Sequence, residues 1–249
     1  MDYGAPMRLM AVPLMFLVLA IGWSSSALAG SAPQYERLAA TRSFHWLGID
    51  FGVAQFVDPA GFAEPEQIFP KHLHAWNTLF VDEGYVSRMK RQLGSLTSYE
   101  EDARFAEIVT KRPLPAYGQN DLVDASRIVP ISQVRERLTE PEIKSVVERY
   151  CAGLEAGVGL LGVVDQFNHQ EKLGMLHWVF FDLQTCEILD APRFVEKNGG
   201  YGFRNRWMRP LKEASNHLRR VRREWAKLAR WSLKDEVSHE DWVFRTLSR

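Results

Sequence analysis

Two aspartates stand where the chain could do acid–base chemistry. Asp50 closes the apolar run Leu47-Gly48-Ile49, and Asp165 closes the longer run Val158 to Val164. If the two runs are neighbouring strands, the carboxylates face one cleft. A close pair of that kind splits its pKa values and serves a hydrolase, or binds a cation. The competing reading is that each aspartate folds back on local backbone amides in an Asx-turn. Asp182 invites that turn reading more strongly, because Asp182-Leu183-Gln184-Thr185 has turn composition. A second candidate follows Gly199-Gly200-Tyr201-Gly202, where Arg204 and Asn205 would meet a ligand approaching the glycine-rich backbone. No Gly-Lys-Ser/Thr follows, so this is not a P-loop. The glycine spacing is not a dinucleotide fingerprint either. A sharp strand-to-helix corner explains the same residues.

Other reactive side chains are harder to assemble into a site. His72 and His74 lie two residues apart, so on a helix they diverge, and no metal site is expected. Cys151 and Cys186 are the only two cysteines. They form either one disulfide in an oxidising compartment or two buried thiols. Neither belongs to a CxxC motif, and the chain after the N-terminal segment has no Gly-x-Ser-x-Gly elbow. The sequence leaves the cofactor unknown.

Charge is balanced overall but not along the chain. The sequence has 31 basic and 31 acidic residues, yet from Arg204 to Lys234 eleven Lys/Arg face two acids, which gives +9 there and −9 elsewhere. Within that segment Leu211, Ala214, Leu218, Val221, Trp225 and Leu228 recur at alternating spacings of three and four, the stripe of an amphipathic helix near 210–230. Between them stand Arg219, Arg220, Arg222 and Arg223. The basic face reads first as the solvated side of a helix packed on the domain by Leu211, Leu218 and Trp225; the alternatives are contact with an anionic envelope component or with an acidic protein groove. Nucleic acid is not expected for an exported chain of zero net charge.

The elements that must position these residues begin after the N-terminus. Arg8 precedes an uncharged apolar run from Leu9 to Trp23, then Ala27-Leu28-Ala29-Gly30. This order is that of a secretory signal peptide spanning 1–29, with cleavage between Ala29 and Gly30. The remaining 30–249 has no second apolar run of membrane length and reads as one soluble secreted or periplasmic domain. Phe44 to Phe51 reads as a strand. Helices are expected after Pro65, with Leu73, Trp76 and Phe80 on one face, and after Thr139-Glu140-Pro141-Glu142. Three strands with short polar turns over 158–190 predict an antiparallel meander. The fold class expected is therefore α+β, an antiparallel sheet with helices on one face.

Three stretches carry a resemblance in combination. They are Leu47-Gly48-Ile49-Asp50-Phe51, Val179 to Leu189, and Gly199-Gly200-Tyr201-Gly202-Phe203-Arg204-Asn205-Arg206-Trp207. Together they resemble a family of exported bacterial proteins of unknown function. The resemblance implies export and a single α+β unit, and no chemistry. Two functions are thus expected: a non-enzymatic envelope domain that binds a ligand or partner, or a hydrolase using Asp50 and Asp165.

Overall fold

The computed structural model describes residues 31–94, 106–151 and 156–232. The expected signal segment and the expected Ala29/Gly30 cleavage site lie outside the described residues. Among those described, no helix is long and apolar enough to cross a membrane.

A short helix, α1 (Ala32–Ala40), leads into β1 (Ser43–Asp50) and, after a four-residue link, β2 (Gln55–Val57). Three helices follow, α2 (Pro65–Gln67), α3 (Leu73–Asp82) and α4 (Tyr85–Leu93). Next come β3 (Glu107–Thr110), α5 (Pro115–Asn120), β4 (Ile128–Val129) and α6 (Glu140–Glu148). Four strands, β5 (Val158–Asn168), β6 (Leu173–Asp182), β7 (Ile188–Asp190) and β8 (Arg193–Lys197), precede α7 (Phe203–Asn216) and α8 (Leu218–Ser232).

β5 is the centre of the sheet, and all eleven of its residues are buried. Along one side it carries β1, with Phe44 opposite Val158 and Asp50 opposite Val163, and farther on β2, with Gln55 opposite Gln166. Both pairings are parallel. β3 lies parallel outside β1, and β4 parallel outside β2. On its other side β5 pairs antiparallel with β6, which in turn carries β7 and β8.

The expected antiparallel α+β fold is therefore overturned. The path β3-β1-β5-β2-β4 is parallel throughout, and the architecture is α/β. Helices also cover both faces rather than one. On one face Leu73, Trp76 and Phe80 of α3, Val86 and Met89 of α4, and the stripe Leu211, Ala214, Leu218, Val221 and Trp225 pack with Phe44, Trp46, Leu160, Trp178 and Phe180. On the other, Ile143, Val146 and Val147 of α6 pack with Leu47, Leu161, Val163, Val179 and Phe181. A strand buried on both faces cannot alternate polar and apolar residues, which is why β1 and β5 read as continuous apolar runs.

Local chemistry explains several boundaries. Thr139 and Glu142 form a reciprocal capping box that starts α6, so two of its orphan amide donors are satisfied. The C-terminal stripe is carried by two helices, not one, because the chain makes a single turn residue at His217. The stripe stays in register across that break. Pro210 sits inside α7 and lies so close to Gly174 on β6 that a side chain at 174 would strike the ring at 2.5 Å.

Candidate functional site

β1 and β5 are neighbours, so the sequence-predicted aspartates arrive on adjacent strands. Asp50 ends β1. Asp165 lies within β5, beside the link between β1 and β2, where the β5–β6 register shifts. Both are completely buried.

Each carboxylate is nevertheless held by its own partners. Oδ1 of Asp50 accepts the backbone amide of Gly52 at 2.7 Å, and Oδ2 accepts the Tyr150 hydroxyl at 2.5 Å. Arg149, one residue before Tyr150 at the end of α6, stands 3.5 Å from the same oxygen. The Asx-turn reading thus describes half of Asp50. Burial, then the charge of Asp50, drives the Tyr150 hydroxyl far above its ordinary pKa, so it remains a donor. At Asp165, Oδ1 accepts Nε of Arg135 at 3.1 Å and Oδ2 accepts from Arg193 at 3.3 Å. Arg135 also donates to the carbonyls of Asp165 and Val53, which ties the segment before α6 to the sheet. Among the described residues no side chain bonds both aspartates.

The edge of β1 beyond its short pairing with β3 needs other partners, and two buried asparagines supply them. The Asn77 amide from α3 exchanges both hydrogen bonds with Ile49, at 2.7 and 2.9 Å. Asn120 at the end of α5 accepts the Phe51 amide and donates to the Ile49 carbonyl. Gly48 makes this approach feasible: it has a φ of +109°, and a Cβ there would meet Asn77 Oδ1 at 2.8 Å. These asparagines escaped the sequence reading. The available signal was Asn77, four residues after Leu73 and therefore on the buried stripe of α3.

The second candidate is a corner at the surface. Arg204 and Asn205 are exposed in the first turn of α7, where Nε of Arg204 donates to Asn205 at 3.3 Å. The Arg204 carbonyl accepts the Trp76 indole N–H at 2.9 Å, and the Gly199 amide donates to the Arg206 carbonyl. The glycine-rich corner therefore fastens the strand β8 to α7.

On α8 the four candidate arginines divide. Arg219, Arg220 and Arg223 are exposed, as are Lys227 and Arg230. Arg222 is turned inward, where it donates to the carbonyls of Leu38 and Thr41 at the C-terminal end of α1. Burial, with the nearby charge of Arg42, lowers its pKa to about 10, so it remains a cation capping that helix. Trp225 on the same helix donates its indole N–H to Asp190 at 2.6 Å.

His72 stacks against Trp76 with the Phe203 ring tilted beside it, and burial lowers its pKa. His74 stacks on Tyr117 and faces Asp121. The two histidines point into different surroundings. Among the described residues no three His, Cys, Asp or Glu side chains gather as a metal site. Cys151 and Cys186 are joined as a disulfide, with 5.7 Å between Cα atoms, linking the end of α6 to the turn after β6.

Asp182 uses its turn as its composition suggests, accepting the amides of Gln184 and Thr185 while paired to Arg37. Burial pushes its carboxyl upward, but Arg37 and the two amides outweigh that and hold it at about 2.

No protein-family model, curated protein or solved structure matches the chain.

Proposed function

We propose that the protein is an exported, non-enzymatic envelope domain that docks on an anionic lipid surface through the outer face of α8. The observation that carries this reading is the run of exposed cations Arg219, Arg220, Arg223, Lys227 and Arg230 along that face. Among the described residues, Glu224 is the only acid on α8, and it stands 3.9 Å from Lys227. No described acid pairs with the four arginines.

Two neighbouring features support the same partner. The adjacent helix α4 contains Arg88, Lys90 and Arg91 and no acid. Trp231, 45% exposed, lies at the end of the basic face with the Lys227 ammonium 5.4 Å from its ring centre. An exposed indole among cations suits the headgroup boundary of a bilayer, where the ring meets the acyl edge and the cations meet phosphates. The disulfide and the secretory pattern of the N-terminus suit export to an oxidising compartment.

The hydrolase reading has less support. The oxygens of Asp165 already accept from two arginines, and those of Asp50 from Gly52 and Tyr150, so neither carboxylate is positioned to move a proton on a substrate.

Co-sedimentation with vesicles tests the proposal. The protein is expected to bind phosphatidylglycerol vesicles and not phosphatidylcholine vesicles, with binding falling as salt rises. The pair Arg219→Glu and Arg223→Glu should abolish binding while circular dichroism stays unchanged. Equal binding by that variant, or equal binding to both vesicle types, would overturn the assignment.

A further inference from the structure

On the opposite face of the sheet, His177 buries one ring nitrogen that has no hydrogen-bond partner among the described residues. His177 stands on β6 between Val163 of β5 and Arg193 of β8. It is 6% exposed. Its Nδ1 lies 3.0 Å from the Ala191 carbonyl, an acceptor, so Nδ1 carries the proton and Nε2 presents a lone pair. That Nε2 is buried and makes no hydrogen bond among the described residues. Burial lowers the imidazole pKa, which keeps the ring neutral and the lone pair available.

The charged groups around it limit what the lone pair can take. Both oxygens of Asp165 are already engaged by Arg135 and Arg193, so a metal cation would meet two guanidinium charges before it met a carboxylate. A hydroxyl donor has no such conflict. The guanidinium groups also have donors to spare. Arg193 uses only its NH2 group among the described residues, on Asp165, the Glu136 carbonyl and Met175, which leaves Nε and NH1. Arg135 uses Nε and NH2, while its NH1 is 3.9 Å from Glu142. Their side chains are 31% and 21% exposed, so an anion can reach them from solvent.

We infer that His177, Arg193 and Arg135 form a binding site for a small hydroxylated anion, whose hydroxyl donates to His177 Nε2 and whose charged group accepts from the two guanidiniums. The site lies on the α6 side of the sheet and is independent of the basic surface of α8, so either can fail without the other.

Nitrogen NMR of the histidine side chains, with sn-glycerol 3-phosphate as the probe, tests the inference. Titration should move the His177 Nε2 resonance upfield and saturate, with a Kd on the order of 1 mM or tighter. Glycerol, which lacks the anion, should not bind. Sulfate, which carries the charge but no hydroxyl at neutral pH, should bind at least roughly tenfold more weakly. Arg193→Gln should weaken glycerol phosphate by a similar factor in calorimetry, and His177→Phe should reduce it to the level of sulfate. Sulfate binding as tightly as glycerol phosphate would overturn the role of Nε2. So would an Nε2 resonance already at a hydrogen-bonded position and unmoved by titration, because a trapped water would then satisfy the histidine.

Discussion

The two faces of the sheet treat charge in opposite ways. On the α6 side, Asp50 and Asp165 are fully buried and each is matched to arginine. On the other side, the charges of α8 stand on its outer surface, and only Arg222 is drawn inward. A buried charge must be paired and hydrogen-bonded to be tolerated, whereas an exposed one is solvated whether or not it has a partner. Asp50 and Asp165 are therefore matched to arginine where water is absent. On α8, five exposed cations stand outside with the single acid Glu224.

That contrast predicts a large difference in mutational cost. Asp165→Asn removes the charge that compensates Arg135 and Arg193 and should destabilise the protein by roughly 3–5 kcal/mol. Asp50→Asn should be of similar rank. Arg219→Glu, on the exposed face, should stay within about 0.5 kcal/mol of the natural chain. Urea melts of the three variants make the comparison. Equal effects would break it.

Arg222→Met sharpens the contrast within one helix. Leaving the carbonyls of Leu38 and Thr41 without their cationic donor should cost roughly 1–3 kcal/mol, although Arg223 next to it is dispensable for stability.

A pH series separates two further aspartates. Burial raises the Asp190 carboxyl to about 6, against the lowering effect of the Trp225 indole and the Ala191 amide. Its folded pKa lies above the unfolded value of 3.8. Its contribution is therefore complete below about pH 4 and is lost as pH rises through about 6, by roughly 2–3 kcal/mol in all. Asp182, held at about 2, behaves in reverse: its contribution is present above about pH 4 and is lost as pH falls through about 2. Asp190→Asn should flatten the difference in stability between about pH 5 and about pH 7.5. Arg37→Ala should give the smallest effect, a weaker loss on acidification, because that arginine is partly exposed.

Much of the local structure is legible in the residues themselves. The strand at Phe44–Phe51, the capping box at Thr139 and Glu142, the turn of Asp182 and the apolar stripe from Leu211 to Trp225 all follow from short-range chemistry. Partners within four residues of one another decide each of them. The sheet was misread because its pairing is not local. Short polar turns around 168–174 and 182–187 suggested a meander, while the strands that make the sheet parallel, β1 and β2, come from about a hundred residues earlier. Nothing in a strand's own composition names its neighbour.

The site divides along the same line. That Asp50 and Asp165 end or interrupt apolar runs is visible in the sequence, as is the basic character of 204–234. Tertiary structure decided that the two carboxylates go to Arg149, Tyr150, Arg135 and Arg193, that Arg222 faces α1 while Arg219, Arg220 and Arg223 face water, and that His177 is enclosed with its Nε2 unpartnered. Hydrogen bonding and burial are properties of the space between elements, and sequence periodicity specifies only the faces those elements present.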